Sequence, residues 1–326
     1  MIQANDIDTR DALVGHTGFV GAALAGQHTF AHRFNSATIA GIDRLPCGTL
    51  VCAAAPGSML EANRAPERDR AAIKGLIARL ETVRAERCVL ISSIAVLADF
   101  AGGDAEDTDR FQQTLAYGRH RRALEAFVEA HFAQSLIVRL PALFGPGLRK
   151  NFLFDLMNPV PAMLPPDRHA ALVAAVGPRL AEWAGALYAP DPATGMLKLD
   201  RARLDADARR GALERAVEEA GFAAVRFHHP DTTYQYYGID RLWQDIGIAL
   251  EAGLSHIHLV AEPLRAADIH RRLTGRAMPE TGARLHREDM RTRHAALWGA
   301  RGPYQCDAAT TLDRLAAFHA DARVPA

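Results

Sequence analysis

The chain has 326 residues, which is enough for one large domain or two modest ones with a sizeable core. Apolar residues make up 49% and charged residues 23%, the formal net charge is zero, and no long basic run occurs, so neither nucleic acid nor an anionic membrane is an expected partner. The polar N-terminus has no leader pattern and no apolar segment reaches bilayer length, so we expect a cytoplasmic protein.

The stretch over residues 12–24 reads Ala-Leu-Val-Gly-His-Thr-Gly-Phe-Val-Gly-Ala-Ala-Leu. This order predicts a buried strand, a tight turn and the start of a helix. Gly15 would make the turn, Gly18 would let the backbone approach a pyrophosphate, and Gly21 would let the helix pack closely on the strand. Turn glycines are common for purely structural reasons, but the flanking strand and helix favour a nucleotide site.

Strands and helices then alternate through the first 150 residues. The patterns predict strands over 29–34, 48–57, 88–93 and 135–140, helices over about 66–85 and 115–131, and a loop over 97–114. Such alternation is typical of parallel βαβ units in a doubly wound α/β sheet.

The ends of two predicted strands bear on cofactor binding. The second strand ends at Asn35-Ser36, where dinucleotide folds contact the adenosine ribose. No acidic residue stands there, so the choice between NAD and NADP stays open. The third strand ends in small residues that include Ala54 and Ala55, which either let a nucleotide lie across the strand tips or pack tightly beneath a helix.

The second half of the chain is predicted to build a smaller, mostly helical substrate domain from residues 151–237 and 263–326, with 238–262 returning to the sheet. Its expected parts are an irregular proline-rich stretch over 156–166, helices over 179–221 broken near Pro190, a strand over 224–227, an aromatic turn over 234–238, a helix over 240–252, a strand over 255–260 and two or three final amphipathic helices.

The four cysteines, Cys47, Cys52, Cys88 and Cys306, form no Cys-x-x-Cys pair and have no histidine at metal-ligand spacing. We therefore expect reduced thiols, of which Cys52 and Cys88 lie in apolar strands, and no metal site.

Candidate chemical groups follow three of the predicted strands. Ser93 ends the fourth strand, Tyr117 opens the next helix with Arg121 four residues later, and Pro141 ends the fifth strand. A cation one turn from a tyrosine stabilises the phenolate, and a nearby serine hydroxyl can orient a substrate oxygen. The alternative interpretation is a tyrosine at a helix N-terminus with a surface arginine.

The joint order of these motifs resembles that of the extended short-chain dehydrogenases/reductases, the NAD-dependent epimerase/dehydratase family of nucleotide-sugar enzymes. The matching segments are Gly15-x-x-Gly18-x-x-Gly21, Ala53-Ala54-Ala55-Pro56, Ser92-Ser93-Ile94-Ala95-Val96, Tyr117-Gly118-x-x-Arg121-x-x-x-Glu125, Arg139 through Pro146, and Tyr237 through Ile246. In this chain Arg121 occupies the position of the family's lysine, and Ala142 and Phe144 replace an asparagine and a tyrosine. Arginine keeps the positive charge but is bulkier and planar.

The resemblance implies a Rossmann sheet, a small-molecule substrate and NAD or NADP as cofactor. It assigns Ser93, Tyr117 and Arg121 to catalysis, and Ser93 also to substrate binding. It assigns to the cofactor Gly15, Gly18, Phe19, Val20, Gly21, Asn35, Ser36, Ala54, Ala55, Tyr117, Arg121 and Pro141. It also suggests a homodimer joined through the long helices that flank the sheet, and a substrate between the sheet edge and the inserted domain. Apart from the resemblance, Asn151 follows soon after the end of the fifth strand, where it either contacts a substrate phosphate with the help of Arg149 and Lys150 or belongs to an ordinary basic loop.

Three functions follow from these assignments. The leading one is hydride transfer at a hydroxyl-bearing carbon of a nucleotide sugar or related polyol, with epimerisation, dehydration or net oxidation all open. A carbonyl reductase of a small non-sugar substrate is an alternative. A non-catalytic dinucleotide-binding sensor is another, which the arginine at position 121 favours.

Overall fold

The computed structural model describes residues 10–322, and the polar segment over residues 1–9 lies outside them. The strands, in chain order, are β1 (Ala12–Val14), β2 (His32–Phe34), β3 (Pro46–Cys52), β4 (Arg84–Ser93), β5 (Ser135–Leu140), β6 (Ala142–Phe144), β7 (Met163–Leu164), β8 (Tyr188–Asp191), β9 (Met196–Leu199), β10 (Thr233–Tyr234), β11 (Tyr236–Gly238), β12 (His256–His258) and β13 (Leu264–Arg265).

The helices, in chain order, are α1 (Phe19–Gln27), α2 (Met59–Arg64), α3 (Pro66–Leu80), α4 (Ala116–His131), α5 (Phe152–Met157), α6 (Pro166–Ala175), α7 (Pro178–Ala186), α8 (Arg201–Asp205), α9 (Arg210–Glu219), α10 (Leu242–Glu251), α11 (Ala266–Thr274) and α12 (Ala308–Asp321). Short 3₁₀ turns occur over Ile39–Ile42, Ile94–Val96, Ala224–Phe227, Ile239–Arg241 and Ala295–Trp298.

Six strands form one parallel sheet in the order β12-β5-β4-β3-β1-β2. Strand β1 lies inside the sheet, with β2 next to it at one edge. The chain then crosses over β1, and strands β3, β4, β5 and β12 follow in order on its other side. The predicted doubly wound α/β sheet is therefore confirmed.

Both faces of this sheet are buried, because a hydrophobic core packs against each of them. Successive residues of a strand point to opposite faces and therefore enter different cores. Val14, Leu50 and Leu90 pack in the core beneath α3 and α4, whereas Leu13 and Val51 pack in the core beneath α1 and α10. This explains why the strands read as continuous apolar runs without a polar face.

The chain divides into two compact units. The first comprises residues 10–148, 234–264 and 287–318, and the second comprises 149–233, 265–286 and the described residues from 319 onward. Residues 287–318 thus lie in the same unit as the sheet. The Gln235 side chain holds this segment, since it donates to the carbonyl of Met290 and accepts from its backbone N–H.

Three local predictions in the second half of the chain are wrong. Residues 224–227 form a 3₁₀ turn instead of a strand, and Tyr236–Gly238 is strand β11, parallel to β6, instead of an aromatic turn. Strands β8 and β9 form an antiparallel hairpin where only helices were expected, because Asp191 closes the turn by accepting from the N–H groups of Ala193 and Thr194. Short strands of two to four residues carry too few alternations to be recognised.

In the second unit, β7, β9 and β8 form a small antiparallel sheet. The buried side chains of this unit include Leu172, Trp183, Leu204 and Leu213, which lie in its helices. This unit contains helices α5 to α9.

None of the described helices is both long and apolar enough to span a bilayer. Within residues 10–322, no cluster of three metal-ligating side chains is found. The cysteines are all free, and burial raises the pKa of the Cys52 thiol to about 11, so that it stays protonated and unreactive.

Candidate active site

The glycine loop after β1 has the geometry that the sequence predicts. Gly15 has a φ of 92° and donates its N–H to the carbonyl of Phe34 at 2.7 Å. A methyl group on Gly15 would lie 2.5 Å from the carbonyl oxygen of Ala53, and one on Gly21 would lie 2.7 Å from the carbonyl carbon of Gly15. Both positions therefore require glycine. Gly15 is needed for its backbone angle and for the close approach of Ala53, and Gly21 is needed for close packing alone.

Gly18 is the N-cap of α1, and no side chain caps this helix end. The first turn of the helix, which begins with Phe19 and Val20, carries no acidic residue. The N–H groups of a first helical turn have no partner inside the helix, and the helix dipole places positive charge there. The loop thus presents a preformed site for an anionic group such as a pyrophosphate.

A cavity of about 520 Å³ lies along this loop and the tips of β1, β2 and β3. Its lining is Val14, Gly15, Thr17, Gly18, Asn35, Ser36, Ile39, Ala53, Ala54, Ala55, Pro56, Gly57, Ala72, Gly75, Leu76 and Arg79. The predicted cofactor residues Gly15, Gly18, Asn35, Ser36, Ala54 and Ala55 are therefore brought together in one place. The mostly small and apolar wall, together with the open helix end, fits a dinucleotide.

Asn35 also has a structural task. Its Oδ1 accepts from the N–H of Ala37 at 2.9 Å and from that of Thr38 at 3.1 Å, which fixes the turn after β2.

Among the described residues that line the cavity, Arg79 is the charged one and none is acidic. Its Nη1 donates to Asp43 at 2.9 Å.

Tyr117 stands in the first turn of α4, which is held against the tip of β4. Asn63 Oδ1 accepts from the Tyr117 N–H at 3.0 Å, and Gln112 Oε1 accepts from the Leu115 N–H at 3.1 Å. A methyl group on Gly118 would lie 2.9 Å from the Ala95 carbonyl carbon and closer still to its oxygen. At this close approach the Ser93 hydroxyl is near enough to the Tyr117 phenol to lower its pKa.

The two serines at the end of β4 have different environments. Ser93 Oγ caps the short turn that follows, accepting from the Ala95 N–H at 3.2 Å. Ser92 faces the interior instead and donates to Glu125 at 2.5 Å. The structure thus places Ser93, and not Ser92, beside Tyr117.

Arg121 lies over the Tyr117 ring, with its guanidinium carbon 4.0 Å from the ring centroid. Its Nη1 donates to Asp69 Oδ2 at 2.5 Å, and its Nη2 donates to the carbonyl of Pro56, which lines the cavity. The side chain is 3% exposed. Arg121 therefore joins the tyrosine to the cavity wall, and both of its terminal nitrogens already have protein acceptors.

Two further predicted site residues hold structural positions. Pro141 is buried at the end of β5. Asn151, in the second unit, has a φ of 106° and caps α5 by accepting from the Phe154 N–H at 3.1 Å. Neither residue lines the cavity described above.

Sequence reasoning missed Asp69, His120 and Asn63. A signal for Asp69 was present, because it falls in register with Ile73, Leu76 and Leu80 on the buried face of α3. A charge in an apolar stripe indicates a buried ion pair, since an isolated charge is too costly there. The partner, in a different helix, could not be identified from spacing.

A scan against protein-family models finds no match for this sequence, and neither does a search of the curated proteins. Solved structures do share its fold. MoeE5 in complex with UDP-glucose and NAD is 15% identical, and the alignment covers 97% of this chain and 100% of that chain with a TM-score of 0.59.

The dTDP-4-dehydrorhamnose reductase from Bacillus anthracis str. Ames, in complex with NADP, is 13% identical over 98% of this chain and 100% of that chain, with a TM-score of 0.61. TunA, an NAD-dependent NDP-hexosamine 5,6-dehydratase involved in tunicamycin biosynthesis, is 15% identical over 97% and 98%, with a TM-score of 0.57. Two of these structures contain NAD or NADP, and the third is described as an NAD-dependent enzyme. The chain has their Rossmann-like fold, which is the fold that the sequence resemblance predicted.

Proposed function

We propose that this protein is an NAD(P)-dependent oxidoreductase or isomerase that exchanges hydride with a hydroxyl-bearing carbon of a nucleotide sugar or related polyol. One observation carries the proposal. The Ser93 and Tyr117 pair is tied, through the Arg121 contact with Pro56, to the wall of a cavity that fits a dinucleotide. The fold shared with NAD- and NADP-bound neighbours supports it.

In this proposal the glycine loop holds the pyrophosphate. The backbone of Gly15 through Gly21, including Phe19 and Val20, provides donors, and Ala54 and Ala55 let the cofactor lie across the strand tips. Asn35 and Ser36 border the adenosine ribose. The bound nicotinamide supplies or accepts the hydride.

The chain's own residues then manage the proton and the substrate oxygen. The Tyr117 hydroxyl gives a proton to the reacting oxygen or takes one from it, and Ser93 donates a hydrogen bond that orients this oxygen. Arg121 provides positive charge beside the phenol. We further assign Pro141 to the nicotinamide end, because it ends the strand next to β4, and Asn151 to a substrate phosphate through its amide nitrogen.

The test is the Tyr117→Phe variant in a turnover assay with nucleotide sugars and with simple carbonyl compounds. Turnover should fall by about 10²- to 10⁴-fold while dinucleotide affinity stays within a few-fold, because only the proton-transferring hydroxyl is removed. Tyr188→Phe is the matched control, since it also loses a hydroxyl bonded within the protein, to the Pro161 carbonyl.

Unchanged turnover in Tyr117→Phe would refute the proposed role of this tyrosine. A chain that binds the dinucleotide but turns over no substrate of either class would instead be a non-catalytic sensor. Activity confined to simple ketones would identify a small-molecule carbonyl reductase.

A further inference from the structure

Asp69 is a buried carboxylate that no part of the proposed chemistry uses. It lies on the inner face of α3 with Ile73, Leu76 and Leu80, and its side chain is 5% exposed. A carboxylate in such surroundings is tolerated only when it is paired and hydrogen-bonded. Its partners therefore reveal why it is there.

Both partners come from α4. Asp69 Oδ2 accepts from Arg121 Nη1 at 2.5 Å and lies 2.7 Å from Nδ1 of His120, a ring that is also buried. Arg121 is in turn fixed by the Pro56 carbonyl and by the Tyr117 ring beneath it. The guanidinium is thus held from three sides and cannot leave the phenol without breaking buried contacts.

The groups that face Tyr117 come from three elements: Arg121 on α4, Asp69 on α3 and Ser93 at the end of β4. Burial raises the pKa of the Tyr117 phenol, Arg121 and the Ser93 hydroxyl lower it, and Asp69 raises it again. Burial prevails, so that the pKa of Tyr117 lies above its ordinary value of 10. Without Asp69, the Arg121 charge would act on the phenol without compensation.

We propose that Asp69 is a positioning residue for Tyr117, which acts through Arg121: it holds the guanidinium over the phenol ring and is the counter-ion that offsets the positive charge there. An arginine at position 121 therefore does not by itself generate a phenolate.

The chemical consequence rests on the proposed function. A neutral phenol is the form that can protonate a carbonyl oxygen: while a bound reduced nicotinamide would supply hydride to the carbonyl carbon, the Tyr117 O–H bond would break and its proton would go to the carbonyl oxygen. The product would be an alcohol, and the Tyr117 phenolate would be reprotonated from solvent. Oxidation of an alcohol needs the phenolate at the start, and its rate should rise with pH into the alkaline range.

The test follows Tyr117 ionisation directly and needs neither cofactor nor substrate. The full chain is labelled with ¹³C at tyrosine Cζ, and the Tyr117 resonance is assigned by its loss in Tyr117→Phe. Its chemical shift is then followed across the alkaline range in wild type, Asp69→Asn and Glu67→Gln. Glu67 is the matched control, because it is an exposed carboxylate on the same helix, paired with Arg70.

In Asp69→Asn the phenol should ionise at lower pH than in wild type, whereas Glu67→Gln should leave the midpoint unchanged. A midpoint in Asp69→Asn that is equal to or above that of wild type would overturn the proposal and leave Asp69 a purely structural ion-pair partner. If Asp69→Asn does not fold, Asp69→Ser, which is smaller and still accepts a hydrogen bond, makes the same prediction. Because the titration uses the free protein, a chain that binds no dinucleotide would refute the proposed function without deciding this inference.

Discussion

Gly118 is the position at which the placement of Tyr117, the proposed catalytic tyrosine, can be tested by stability alone. It follows Tyr117 in α4, and a Cβ there would lie 2.9 Å from both the Ala95 carbonyl carbon and Gln112 Cγ. The Ala95 carbonyl oxygen would lie closer still, so the helix would have to retreat from the tip of β4 by more than about 1 Å to restore ordinary contact distances. Both neighbours are parts of a buried, backbone-bonded turn that has little room to yield.

Overpacking of this kind costs about 1–3 kcal/mol, whereas replacing a helical glycine by alanine in open space is favourable by about 0.5–1 kcal/mol. Gly118→Ala should therefore lower the free energy of unfolding. Gly247→Ala, in α10, is the matched control, because a Cβ there meets nothing within 4 Å, and it should raise stability. Urea unfolding monitored by circular dichroism measures both changes. If Gly118→Ala were as stable as Gly247→Ala, the close approach that places Tyr117 beside Ser93 would be refuted.

Two further variants test the charged groups of the first unit. Burial lowers the pKa of His258 to about 4, with Arg139 adding to this effect and Glu106 opposing it. From pH 6.5 down to about 4 the unfolded chain therefore binds a proton that the folded chain does not, so stability falls with decreasing pH. His258→Gln should flatten this slope by up to about 1.4 kcal/mol per pH unit in unfolding titrations, and an unchanged slope would contradict the assignment. Arg79→Ala should weaken NADP⁺ binding about tenfold more than NAD⁺ binding, because Arg79 is the cation of the cavity lining. The control variant Arg70→Ala, on the same helix, should change neither affinity. Equal losses of affinity for the two cofactors would contradict this role of Arg79.

The parts of the fold that the sequence predicted are those with strong local signals. The glycine loop combines a φ that only glycine readily adopts with contacts that exclude any larger side chain, so the spacing of Gly15, Gly18 and Gly21 carries the geometry with it. The parallel strands read as apolar runs because both of their faces are buried.

The features that escaped prediction depend on partners distant in sequence. Strand β11 exists because Tyr236–Gly238 pairs with Ala142–Phe144, nearly a hundred residues earlier, and its aromatic residues alone did not distinguish a strand from a turn. Residues 287–318 join the first unit because Gln235 bonds to the backbone of Met290. Neither contact has a sequence signature within the segment itself.

In the candidate site, too, the residues with local sequence signals were predicted and a partner distant in sequence was not. Ser93, Tyr117 and Arg121 were found from their order and spacing, and the structure brings all three together. What spacing could not supply is the counter-ion, since Asp69 reaches Arg121 from another helix. The presence of Arg121 at the position of the family's lysine does not by itself determine the protonation state of Tyr117, because that protonation state also depends on how the arginine charge is offset.

A calorimetric titration of the purified chain with NAD⁺, NADP⁺ and their reduced forms tests whether this Rossmann fold carries a dinucleotide site. We expect saturable binding at one site, with affinity nearly unchanged in Tyr117→Phe. The glycine loop, the open end of α1 and the cavity at the strand tips all serve this one ligand class. Absence of binding for every form of both dinucleotides would contradict hydride transfer and leave a Rossmann fold without its cofactor.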